Sequence, residues 1–145
     1  MEKVARLNRF VASYALALAV LLTFLNVVLR YIFGTSLSFS AELASYLFIV
    51  SAFFAASLGF KERIHISVEF ISKKTFLGKL ARYVSFWITL IFLLFIAIFG
   101  IEFVSLAFDM NEISIDLNIP MWIIYMIIPI SFFLAAFWHI KSDIK

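Results

Sequence analysis

The chain has 145 residues, of which 65% are hydrophobic, and a mean hydropathy of +1.09. A soluble domain is nearer about half apolar, so this composition excludes one and points to an integral membrane protein. Zero cysteines exclude a disulfide framework, a thiolate metal site and a cysteine nucleophile. Two histidines, His65 and His139, are too few for a multi-histidine metal or haem site, so no cofactor is expected. A net charge of +3 and a pI near 9.3 would suit nucleic acid. The basic residues, however, fall between apolar runs, where membrane topology accounts for them and no nucleic-acid partner is expected.

Residues 1–9 carry Lys3, Arg6 and Arg9, and residues 10–29 then run without a charge. A helix of that length spans roughly 30 Å, one hydrocarbon core. The run is too long for a signal peptide, and Arg30, Tyr31, Ile32 and Phe33 follow it instead of a small-x-small site, so an uncleaved first span is expected. Thr23 and Asn26 lie in its last turns. Residues 34–40 are turn material, in which Ser38 or Ser40 is placed to cap the next helix. Glu42 follows in the first turn, where the positive end of the helix dipole favours a carboxylate.

The second span is read at 43–60. Ser51, Ala52, Ala55, Ala56 and Gly59 form a small-residue stripe on it, suited to close approach by another helix, although alanine-rich helices show such stripes by chance. Residues 61–82 hold Lys61, Arg63, Lys73, Lys74, Lys79 and Arg82. Within them Ile64, Ile66, Val68 and Phe70 alternate with polar residues as in a strand. A lone strand beside a bilayer leaves its backbone unpaired, so a basic interfacial helix or wrapped arm is expected. Lys61, Arg63, His65, Lys73 and Lys74 are candidates for contact with lipid phosphate or a partner carboxylate; the plainer reading is a basic membrane edge.

The third span is read at 83–101, with a continuation to 108 open. Residues 109–116 are acidic and lack Lys and Arg. The fourth span is read at 119–140, with Asn118 as its cap, Pro120 in its first turn and a kink at Pro129. Trp122, Tyr125, Trp138 and His139 lie toward its ends, as interface anchors do. The fold class is thus an all-α membrane protein, one domain over 1–145, with four transmembrane helices. Lys and Arg number three before span 1, one after it, six between spans 2 and 3, none between spans 3 and 4, and two at the end. The positive-inside rule then puts both termini and the basic arm in the cytoplasm.

All four spans lack a central charge, which argues against a transport pathway through this chain. Arg30 and Glu42 both sit near the outer interface. Either each reaches separately for water and headgroups, or they form an ion pair, with one another or with a partner subunit.

Asn26-x-x-x-Arg30-Tyr31-x-Phe33-Gly34, Ser36-Leu37-x-Phe39-x-x-Glu42-Leu43, Gly59-x-x-x-x-x-His65-Ile66 and Ile119-Pro120-x-Trp122-x-x-Tyr125-x-x-x-Pro129 occur in this order. In a four-span chain of this size they resemble the small, DctQ-type membrane subunit of the tripartite ATP-independent periplasmic (TRAP) transporters. That family commonly has Trp-x-Glu-Glu-Leu-x-Arg at the head of span 2. Here Phe39, Ala41 and Ser45 replace the Trp, the first Glu and the Arg, while Arg30 and Glu42 keep their places. The resemblance implies a non-catalytic scaffold in a bacterial inner membrane. It would bind a large membrane subunit that carries the substrate and sodium sites, and a periplasmic substrate-binding protein would deliver an organic acid such as a dicarboxylate or sialic acid. Asn26, Arg30 and Glu42 would then serve assembly. Two rival readings remain: the membrane anchor of a redox complex, and a self-sufficient homodimeric exporter.

Overall fold

In the computed structural model, which describes residues 2–62 and 76–143, the first helix α1 (Glu2–Ile32) buries Ala5, Asn8, Ala12, Ala15 and Ala19. Steps of three and four residues keep these on one face, and four of the five are alanine, so a second backbone approaches closely. That neighbour is α2 (Ser38–Glu62), which answers with Ser40, Ala44, Ser51 and Leu58, all buried and nearly in register with a heptad. α2 also packs on α5 (Ile127–Asp143), and α5 packs in turn on α3 (Phe76–Asp109). The helices therefore stand in the order α1, α2, α5, α3, as an open row. The most apolar stretches of the outer helices α1 and α3 are 17% buried, against 22% and 28% for the second and fourth spans. A single row has two broad faces, and neither is covered by the chain itself.

Four helices are long and apolar enough to cross a membrane, Glu2–Ile32, Ser38–Lys61, Tyr83–Asp109 and the broken Met121–Lys141. The third runs past residue 101 to Asp109. With 31 and 34 residues, α1 and α3 reach about 46 and 51 Å, more than one hydrocarbon core, so they tilt or project beyond it.

Span 4 is divided where its proline requires it. The Pro129 ring occupies the place of a helical N–H and crowds the carbonyl four residues back, that of Tyr125. The helix accordingly breaks at Met126, between α4 (Met121–Tyr125) and α5. Gly100 faces this break from α3. A Cβ there would lie 3.2 Å from Pro129 Cδ and 3.3 Å from Ile128 Cγ2, so only glycine lets the two helices meet at this depth without displacement.

Two expected caps are replaced. Asn118 does not cap span 4; it takes φ 54° within the preceding loop, and Pro120 occupies the cap position with no side-chain bond to the helix. Ser40 donates its hydroxyl to the Leu37 carbonyl at 2.7 Å instead of accepting from an amide. The arm between spans 2 and 3 is shorter than 61–82, because residues 61–62 extend α2 and 76–82 belong to α3. Arg63, His65, Lys73 and Lys74 lie outside the described residues.

At the end of the row opposite the 33–37 turn, Trp138 is buried with Ala5 and Leu58, and Lys61 Nζ stands 5.3 Å over its ring. His139 stacks on Phe86 with centroids 4.8 Å apart, and its Nε2 lies 3.2 Å from the Phe86 carbonyl oxygen.

Candidate functional site

Of the polar side chains singled out in the sequence, Asn26 and Glu42 make their bonds at the end of the row formed by residues 33–42 and the 110–120 connection. Gly34 ends α1 with φ +65°, a conformation open to glycine without strain, and the amides of Phe33 and Thr35 return to the Leu29 carbonyl. The chain turns, and the Leu37 amide donates to Asn26 Oδ1 at 3.1 Å. Asn26 thus ties the last turns of α1 to the start of α2. Thr23 bonds only within its own helix, to the Ala19 carbonyl.

Glu42 sits one turn into α2 with its carboxylate toward the 110–120 connection. Tyr46, at the i+4 position, donates its hydroxyl to Oε1. Oε2 accepts two backbone amides from across the molecule, Asp116 at 2.8 Å and Leu117 at 3.1 Å. A carboxylate that accepts adjacent amides replaces the hydrogen bonds the loop backbone would otherwise need from water. The loop is also closed on itself. The Ser114 amide donates to the Ile119 carbonyl, the Ile119 amide to Ser114 Oγ, and the Met121 amide to the Glu112 carbonyl. Asn111 and Asn118 take the two left-handed positions, which asparagine tolerates better than most residues. Glu42, Tyr46, Glu112, Ser114, Met121 and Tyr125 border an open cleft of about 270 Å³ at this junction.

Arg30 is not part of this latch. It is exposed, and among the described residues no ion pair joins it to Glu42, whose partners are Tyr46 and the loop amides. The expected small-residue stripe also divides. Ser51 is buried and Gly59 half-buried, whereas Ala52, Ala55 and Ala56 face outward. The close helix contact within the chain uses the alanines of α1, which the first reading passed over although their spacing of seven, three and four residues is legible. Tyr46 was also missed; its signal is the Glu-x-x-x-Tyr spacing, which stacks two hydrogen-bonding side chains on one helix face. The partner amides of Asp116 and Leu117 carry no sequence signal.

The latch can join elements and fix a loop. Its carboxylate accepts from Tyr46 and from two amides of the connection, and so joins α2 to that loop.

Comparison with known proteins identifies the family. The sequence model of the family described as "Tripartite ATP-independent periplasmic transporters, DctQ component" matches residues 19–144. A TRAP transporter small permease protein of Haemophilus influenzae is 49% identical over 59 residues, 41% of this chain and 37% of that protein. The C4-dicarboxylate TRAP transporter small permease protein DctQ of Rhodobacter capsulatus is 28% identical over 106 residues, 72% of this chain and 47% of that protein. The chain therefore spans less than half the length of either relative. No solved structure matches it. With the family matched over most of its length and four helices long and apolar enough to cross a bilayer, the chain belongs to the DctQ component family of the TRAP transporters.

Proposed function

We propose that this chain is the non-catalytic scaffold subunit of a sodium-coupled secondary transporter for organic acids. It binds a large membrane subunit that carries the transport sites, and a soluble periplasmic substrate-binding protein completes the system. The observation that carries this reading is the open row of helices. A protein that moved substrate by itself would enclose a polar path, whereas here the spans lack central charges and the polar residues of the outer end are engaged in joining the chain to itself. The two uncovered apolar faces suit lipid on one side and a large apolar partner on the other. The placement is a bacterial inner membrane, with both termini and the basic arm in the cytoplasm, in line with the distribution of Lys and Arg. The name of the Rhodobacter relative makes C4-dicarboxylates the first substrates to test.

The test is uptake by proteoliposomes. Liposomes with this chain alone should take up no dicarboxylate or sialic acid under a sodium gradient. Adding a large TRAP membrane subunit and a substrate-binding protein from the same organism should produce uptake. Transport by this chain alone would refute the scaffold role and favour the exporter reading. Haem absorbance in the purified protein would favour the redox anchor, although His139 already gives its Nε2 to the Phe86 carbonyl.

A further inference from the structure

Met121 is the first residue of α4, and its Sδ lies 3.2 Å from the Tyr46 hydroxyl oxygen. A phenol has one proton to donate, and Tyr46 gives it to Glu42 Oε1, since a carboxylate is a far stronger acceptor than a thioether. The sulfur is thus held against the phenol as the weaker of two acceptors. Its backbone is anchored as well, because the Met121 amide donates to the Glu112 carbonyl at 2.9 Å. The residue is half-buried and borders the open cleft of about 270 Å³ that Glu42 and Tyr46 also line, a space several times the volume of a small peroxide.

We propose that Met121 is an oxidation site, and that its sulfoxide takes the Tyr46 proton from Glu42 and loosens the latch. With hydrogen peroxide, a sulfur lone pair attacks one oxygen, the O–O bond breaks and the S–O bond forms. The attacked oxygen passes its hydrogen to the departing one, which leaves as water. Sulfur loses two electrons and the peroxide gains them. The product is polar, with an oxygen that accepts hydrogen bonds far better than the thioether did. That oxygen is one bond from an atom already in contact with the phenol, and the three flexible torsions of methionine let it turn to the hydroxyl. Glu42 Oε1 then loses its donor. Oε2 keeps the amides of Asp116 and Leu117, but the carboxylate, no longer clamped by Tyr46, holds them less firmly. Methionine sulfoxide is reduced back by dedicated reductases, so the latch has two interconvertible states.

The experiment treats the full chain in nanodiscs with hydrogen peroxide. Fragment mass spectrometry locates the added oxygen, and hydrogen exchange is read at the Asp116 and Leu117 amides. Met110, 63% exposed on the same connection, shows that the oxidant has acted. The expected result is one oxygen on Met121 and several-fold faster exchange at both amides, about the change that untreated Tyr46→Phe shows. Met121→Leu nearly keeps the side-chain volume and cannot take oxygen, so peroxide should leave its exchange unchanged. If Met121→Leu does not fold, Met121→Ile takes its place. In Tyr46→Phe, peroxide should oxidise Met121 without raising exchange further. Met121 left unoxidised while Met110 is converted overturns the proposal. Oxidation of Met121 with exchange unchanged overturns it equally, as does a rise that persists in Met121→Leu.

Discussion

At the residue scale the end of the molecule built from residues 33–42 and 110–120 depends on two side chains that take backbone amides as partners. Asn26 holds Leu37 across the first turn, and Glu42 holds Asp116 and Leu117 across 74 and 75 residues of sequence. Their removal should therefore be read on the amides they hold. In Glu42→Ala we expect faster hydrogen exchange at Asp116 and Leu117, with exchange in α1 unchanged. Glu42→Gln keeps a carbonyl acceptor and should fall between parent and alanine. In Tyr46→Phe the carboxylate loses its clamp but keeps both amides, so the effect should be smaller than in Glu42→Ala. Equal exchange in all four proteins would show that the loop holds its shape without the latch. Arg30, exposed and apart from Glu42, makes a different prediction. Arg30→Ala should leave the isolated chain as stable as the parent and weaken copurification with the large subunit, if its partner lies there. Intact assembly with a large loss of sodium or substrate affinity would instead place Arg30 at a transport site.

At the element scale, close approach of helices is carried by small residues in two places. On α1 the buried alanines leave no volume for a longer side chain, so Ala15→Leu should force α1 from α2 at a cost of about 1–3 kcal/mol, seen as a lower midpoint in a detergent unfolding curve. Ala55→Leu, on the outward face of α2, should leave that midpoint unchanged and act only on assembly with a partner. If both variants behave alike, the assignment of the two faces is wrong. On α3 the tight site is Gly100 against Pro129. Gly100→Ala asks its neighbours to yield by a few tenths of an ångström and should cost little, whereas Gly100→Leu should separate α3 from α5 and lower stability by about 1–3 kcal/mol. Equal stability of the leucine variant and the parent would show that the α3–α5 contact gives way freely.

At the scale of the whole molecule the natural lack of cysteine makes topology directly measurable. Ile115 is 92% exposed on the 110–120 connection, and Lys3 lies at the other end of the row. In intact cells a membrane-impermeant maleimide should label Ile115→Cys. It should reach Lys3→Cys only after the inner membrane is permeabilised. The reverse pattern would invert the orientation drawn from the basic residues and with it the side from which a soluble partner approaches. The open row sets a second expectation at this scale: much of the apolar surface must be covered by something other than this chain, so the purified subunit should be more stable with the proposed large subunit than alone.

The sequence by itself determined the number of helices long and apolar enough to cross a membrane, and it pointed to the family, because these rest on local quantities. An apolar run of twenty residues has one length as a helix in a bilayer, Pro129 excludes a helical hydrogen bond wherever the rest of the chain lies, and the motifs from Asn26 to Pro129 stand in fixed order. The tertiary structure decided which faces meet and which polar groups pair. Nearly every position of these helices is apolar, so hydropathy does not distinguish a face against another helix from a face against lipid, and the α2 stripe and the α1 alanines read alike in one dimension. The same holds for Glu42. Its charge is visible in the sequence, but its partners are backbone amides at the far end of the chain, and every residue except proline carries one. Only the packing of α2 against the fourth span brings those two amides, and not Arg30, to its carboxylate.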